Sequence, residues 1–258
     1  MGLFINPHTG YLLSGLIVIA LLGRGYLIRL ARKQPAQELT GLPSPRQFAL
    51  LCLLIYFTGN LGAKLFGWFW YIREILRRPD LLKALLNSRE ISFGALAAVI
   101  CTVVWFCRKY RLDILKVLDI FFAYYAALDV LFRIGCTMFG CCIGRTVYST
   151  PGIYFLAGQF LPLNPLARYP FTICMAAFNI WLFVTLGRAI ERKHRAGEIF
   201  LKYFLLYSAG RFFLEFLRQE PLVVDFIPFT APQIICMAVF SAAWTAWRRQ
   251  NKNHDHAF

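Results

Sequence analysis

Acidic residues are scarce in this sequence, and so is charge in general. Asp and Glu account for 13 of 258 residues, and charged residues of both signs for 16%, against about 25% in soluble domains. With 59% hydrophobic residues and a mean hydropathy of +0.55, this deficit excludes a disordered, collagenous or ordinary soluble chain. Histidine is rarer still, at four residues, and no fourth Cys or His stands close enough to the one cysteine cluster to complete a tetrahedral metal site. No metal and no cofactor is therefore expected. The G-x-x-x-x-G-K-[ST] pattern is missing as well, which argues against a nucleotide-driven pump. Lys and Arg are plentiful, and they bring the net charge to +15. They lie between apolar runs instead of in one patch, so nucleic acid is a poor partner for them.

What fills the sequence is apolar runs of membrane-crossing length. Seven can be cut, at about 10–28, 48–72, 91–107, 114–139, 171–187, 199–217 and 223–247, each near the roughly 20 residues that span hydrocarbon as a helix. The expected fold is all-α: a single polytopic membrane domain over 1–258 with about seven transmembrane helices. No basic stretch precedes the first run and no small-residue cleavage site follows it, so it reads as a span and not a signal peptide. Seventeen Lys and Arg fall after spans 1, 3, 5 and 7, and eight on the other side, which predicts an outer N-terminus and a cytosolic C-terminus. The basic segment 73–90, broken at Pro79-Asp80, reads either as an interfacial arm or as a solvated loop. Segment 145–170 reads as an outer loop.

With Arg24, Lys116 and Lys202 counted to the cytosolic ends of their spans, three cations remain inside spans: Lys64, Arg133 and Arg211. Charge at membrane depth is costly and usually faces a cavity or a partner. At about 1.5 Å of rise per residue they lie about 24, 28 and 18 Å from the cytosolic end of their helices, in the outer half of the bilayer. Three cations at similar depth would form a pocket for an anion, and the abundant anion there is a phospholipid phosphate. The alternative is separate structural pairs. Asp129 precedes Arg133 by four residues and Glu215 follows Arg211 by four, whereas no Asp or Glu lies three or four residues from Lys64.

Of eight cysteines, Cys52, Cys101, Cys107, Cys174 and Cys236 stand singly in apolar runs, where Cys packs as a small hydrophobe. Cys136, Cys141 and Cys142 cluster after Arg133 among Gly135, Gly140 and Gly144. A nearby cation favours a nucleophilic thiolate, an oxidising compartment favours a disulfide, and plain packing is a third reading. The glycines allow backbone N–H groups to approach an anion. Asp119, near the start of span 4, suits a capping or packing role. His8 reads as a solvated outer loop residue, and His194, His254 and His256 as cytosolic.

The stretch Phe132 to Arg145, FRIGCTMFGCCIGR, resembles the signature segment of bacterial prolipoprotein diacylglyceryl transferases, G-R-x-G-N-F-x-N-G-E with a Gly-Arg shortly after. Gly62-Ala63-Lys64-Leu65, Ser92-Phe93, Asp119, Tyr169-Pro170, Tyr207-x-x-x-Arg211-Phe212-x-x-Glu215-Phe216-x-Arg218 and Gln233 follow the same family's order. The resemblance implies a seven-span, N-out, C-in enzyme of the bacterial cytoplasmic (inner) membrane. Such an enzyme moves the diacylglyceryl group of phosphatidylglycerol onto the lipobox cysteine of an exported protein. It places Arg133, Arg211 and Glu215 in the catalytic set, with Cys136 and Cys141 at the signature Asn and Glu positions. Lys64, Gly135, Gly144, Arg145 and Tyr207 are the expected substrate-binding residues. The chain departs from the family at Gly94, where a histidine often follows the Ser-Phe and would be a natural base for the thiol. Two other readings stay open: a paralogue that transfers a phospholipid-derived group to another acceptor, and a non-catalytic lipid-binding or translocating protein.

Overall fold

In the computed structural model the described residues are 7–33, 39–70, 92–139, 144, 171–218 and 229–255. The expected arm at 73–90 and outer loop at 145–170 lie outside them, as do Cys141, Cys142 and Arg145. The described residues form seven α-helices and no strand: α1 Pro7–Lys33, α2 Pro45–Trp70, α3 Ser92–Lys109, α4 Ile114–Phe139, α5 Phe171–Ile190, α6 Glu198–Leu214 and α7 Ala231–Asp255. A single 3₁₀ turn, Glu215–Leu217, follows α6. Each helix matches one apolar run, and the chain is an all-α membrane protein.

Local chemistry sets the helix ends. At α2, Ser44 and Gln47 form a capping box: the Ser44 N–H donates to Gln47 Oε1 at 2.8 Å and the Gln47 N–H to Ser44 Oγ at 3.2 Å, with Pro45 as the first helical residue. Thr230 and Gln233 repeat the device at α7, at 2.9 and 3.3 Å. That cap explains why α7 begins at Ala231 instead of at 223 as the hydropathy suggested. The apolar run carries on through Pro228, but the helix starts only where its first N–H groups find acceptors. Asp113 caps α4, accepting from the Leu115 N–H at 2.9 Å.

By compactness the chain divides into residues 1–117 and 118–258. In the first unit α2 packs against both α1 and α3. Gly23 admits the Phe48 ring where any Cβ would sit, and Thr102 Oγ1 donates to Thr58 Oγ1 at 2.9 Å across α2 and α3. Leu50, Leu53, Phe57, Leu61 and Leu65 recur every three or four residues and are exposed, while Phe48, Leu51, Cys52 and Ile55 are buried. An exposed apolar stripe of that size would aggregate in water and is at home in lipid.

In the second unit α6 packs against α5 and α7. Gly210 gives way to the Phe178 ring of α5, and an aromatic seam joins α4 to α6, with Phe122 against Phe200, Tyr203 and Phe204 at 5.0 to 5.2 Å between ring centroids. Asp119 closes the lower end of that seam. Its carboxylate accepts from the N–H groups of Gly197 at 2.7 Å and Phe200 at 2.8 Å, capping α6 from another helix. The capping role expected of Asp119 is what the structure shows.

Leu12–Arg32, Pro45–Phe69 and Phe171–Ile190 are apolar enough along their length to cross a membrane by composition alone. Lys116, Asp119, Asp129 and Arg133 lie within α4, and α7 ends in the polar run Arg248 to Asp255.

Candidate functional site

The buried charged residues described in the second unit, Asp119, Asp129, Arg133 and Glu215, lie along α4 and just after α6. Arg133 and Asp129 are both buried, at 8% exposure, with Arg133 Nε 3.5 Å from Asp129 Oδ2. The helical spacing of four residues makes the contact, as the sequence led one to expect. The same Oδ2 accepts a shorter bond, 2.6 Å, from Asn179 Nδ2 of α5, and that amide also donates to the Met175 carbonyl at 2.8 Å. Asn179 is wholly buried.

The second pair shares a carboxylate. Glu215, whose side chain is fully buried, pairs through Oε2 with Arg211 Nη1 and through Oε1 with Arg218 Nη1 at 3.3 Å. Seven residues apart, Arg211 and Arg218 would share a face on a continuous helix, but α6 ends at Leu214 and the backbone tightens into the 3₁₀ turn. At three residues per turn, position i+3 returns over i, so Arg218 folds back onto Glu215 from an extended backbone. The Arg218 backbone also bridges to Gly144, which ties the signature loop to the end of α6. Opposite, the Arg211 guanidinium lies 5.3 Å from the Phe171 ring. Gln233 donates from Nε2 to the Phe212 carbonyl at 3.4 Å, so the residue that caps α7 also braces α6.

Tyr207 connects the two pairs. It stacks on Tyr203 at 5.3 Å and lies within electrostatic reach of Asp129, Arg133 and Arg211 together. Arg133 and Arg211 thus both act electrostatically on the same tyrosine, from two helices. Cys136 is buried at 1% one turn beyond Arg133, and Gly135 and Gly144 are buried as well. Lys64 is half-buried on α2 of the first unit. Asn179 escaped the sequence reading because it is uncharged and sits in an apolar run. Its signal was being the one amide in span 5.

Among the described residues, two carboxylates thus hold three guanidinium groups, one positive charge more than they neutralise. Arginine forks suit phosphate oxygens, and a carboxylate that fixes the guanidinium sets their direction. This is a helical membrane protein with buried arginine–carboxylate pairs in its second unit. The chain belongs to the prolipoprotein diacylglyceryl transferase family, whose profile matches residues 12–248. It is similar to the phosphatidylglycerol–prolipoprotein diacylglyceryl transferase of Clostridium tetani, 32% identical over 63% of this chain and 65% of that protein. Similar relatives occur in Clostridium perfringens, 28% identical over 66% of each chain, and in Chlorobaculum tepidum, 27% identical over 75% of this chain and 71% of that one. The matches to the two clostridial proteins thus span just under two thirds of those relatives' own length.

Proposed function

We propose that this chain is a multi-pass enzyme of the bacterial inner membrane that transfers the diacylglyceryl group of phosphatidylglycerol to the lipobox cysteine of exported prolipoproteins. The observation that carries the reading is that Arg133 and Arg211, each paired with a buried carboxylate, both act electrostatically on Tyr207. In the reaction the acceptor thiol gives up its proton and its sulfur bonds to the terminal glycerol carbon. The bond from that carbon to the phosphate oxygen breaks, and the headgroup leaves as glycerol phosphate. The phosphodiester monoanion becomes a monoester dianion, so charge grows at the phosphate as the reaction proceeds. Preorganised guanidinium groups in a low-dielectric site stabilise that growth more than they stabilise the substrate. Arg133 and Arg211 are assigned this role, with Glu215 orienting Arg211 and Tyr207 lining the site. Gly135 near the end of α4, and Gly144 and Arg145 beyond it in the sequence, are assigned to headgroup binding, the glycines allowing close backbone approach.

Release of glycerol phosphate from headgroup-labelled phosphatidylglycerol tests the proposal. Arg211→Ala should lower release about 10²-fold or more, since it removes a partner of a buried charged group. Arg218→Ala should cost under tenfold, because its side chain is 28% exposed against 13% for Arg211 and water screens it more. Equal losses would mark Arg211 as a structural residue. Gly94, in place of the family's histidine, favours a second reading in which the same lipid chemistry serves another acceptor. Mass spectrometry of exported lipoproteins, after this gene replaces a host's own transferase, separates the two acceptors.

A further inference from the structure

Asn179 has no part in the assignments above, yet it makes the shortest polar contact to the carboxylate behind Arg133. We propose that Asn179 is a positioning residue for Arg133, acting through Asp129, an inference that rests on the phospholipid reading of the site. Asp129 Oδ2 receives two donors, Asn179 Nδ2 at 2.6 Å and Arg133 Nε at 3.5 Å. A charge-assisted guanidinium–carboxylate bond ordinarily closes to about 2.7–2.9 Å, so Arg133 stands back from its carboxylate while a neutral amide takes the close position. The amide is itself fixed by its second bond to the Met175 carbonyl, which anchors it to α5.

The choice of residue follows from the charge of the site. A cation in this position would compete with Arg133 for Asp129 and add charge, and a carboxylate would repel Asp129. A neutral donor occupies one lone pair of the carboxylate and leaves the net charge unchanged. With Oδ2 partly satisfied by the amide, the pair holds Arg133 at a longer distance than a closed ion pair would. Remove the amide, and the buried oxygen loses its closer donor. Arg133 then becomes its replacement, the ion pair tightens, and an anionic headgroup has to compete with Asp129 for the guanidinium. The effect should fall on lipid binding and less on the chemical step, because a tighter ground-state pair opposes binding of the anion.

The test measures phosphatidylglycerol turnover and, independently of turnover, retention of phosphatidylglycerol by the detergent-purified full chain in native mass spectrometry. Asn179→Ala should raise KM for phosphatidylglycerol about 5- to 20-fold with kcat within threefold, and lower lipid retention in parallel. Asn179→Leu fills the space and lacks the donor, so it should give the same KM shift and keeps the test open if the alanine variant fails to fold. In an Asp129→Ala background either Asn179 substitution should change KM less than twofold, since the carboxylate through which it acts is gone. Equal KM shifts in the two backgrounds, or losses confined to kcat and thermal stability, would overturn the positioning role while leaving the phospholipid reading intact. A parent protein that neither retains nor consumes phosphatidylglycerol overturns that reading, and this inference with it.

Discussion

At 1% exposure, the thiol of Cys136 sits where neither a bulky reagent nor an acceptor peptide reaches it directly. A nucleophilic cysteine needs both a stabilised thiolate and access, and burial works against each. We therefore expect Cys136 to pack the last turn of α4 and not to carry a covalent intermediate. Maleimide labelling of the folded protein in detergent should leave Cys136 unmodified over the time that exposed Cys101 reacts, and Cys136→Ser should keep transfer within several-fold of the parent. Rapid labelling with loss of turnover would return Cys136 to the catalytic set. Arg133, one turn earlier and also buried, differs in kind. Its charge demands a partner at that depth, whereas a thiol is content among apolar neighbours.

Helix ends carry much of the organisation at the scale of elements. Asp119 is nearly buried at 1% exposure and joins α4 to the first turn of α6 by two hydrogen bonds from backbone N–H groups. A charged acceptor at a helix N-terminus satisfies orphan donors and complements the helix dipole. Asp119→Ala should lower stability by about 2–4 kcal/mol, given roughly 1–2 kcal/mol for a lost cap and the added cost of donors left unsatisfied. Thermal unfolding in detergent checks the stability. KM for phosphatidylglycerol in the variant that remains folded should change less than twofold, and a larger rise in KM would place Asp119 in the lipid site instead. The 3₁₀ turn after α6 works the other way, since it ends a helix early and so brings a second arginine onto Glu215.

For the whole molecule, the distribution of Lys and Arg makes a prediction that helix positions alone do not. Seventeen against eight on alternate sides of the spans should place the loops after α1, α3, α5 and the polar end of α7 in the cytosol. A fluorescent protein that matures only in the cytosol, fused after α7, should fluoresce, and alkaline phosphatase fused there should be inactive. The reverse pattern would overturn the orientation, and with it the placing of Arg133 and Arg211 in the outer half of the bilayer.

Hydropathy was enough to find the seven helices of the described residues, because a span must bury about 20 backbone units without water and the sequence shows that requirement directly. The expense of charge in hydrocarbon likewise singled out Lys64, Arg133 and Arg211, and helical spacing alone put Asp129 under Arg133 and Glu215 beside Arg211. Which groups meet across helices was not legible. Asn179 reaches Asp129 only because α5 is rotated to face α4, and such rotations are set by packing, as where the Phe178 ring fills the space over Gly210 on α6. Arg218 reaches Glu215 only because the backbone tightens after Leu214. The start of α7 depended on the pairing of Thr230 with Gln233, a local bond that an average over twenty residues smooths away. Composition and period report what each residue costs in lipid by itself; the tertiary fold decides which neighbour offsets that cost, since a hydrogen bond depends on ångström-scale placement that no one-dimensional pattern encodes.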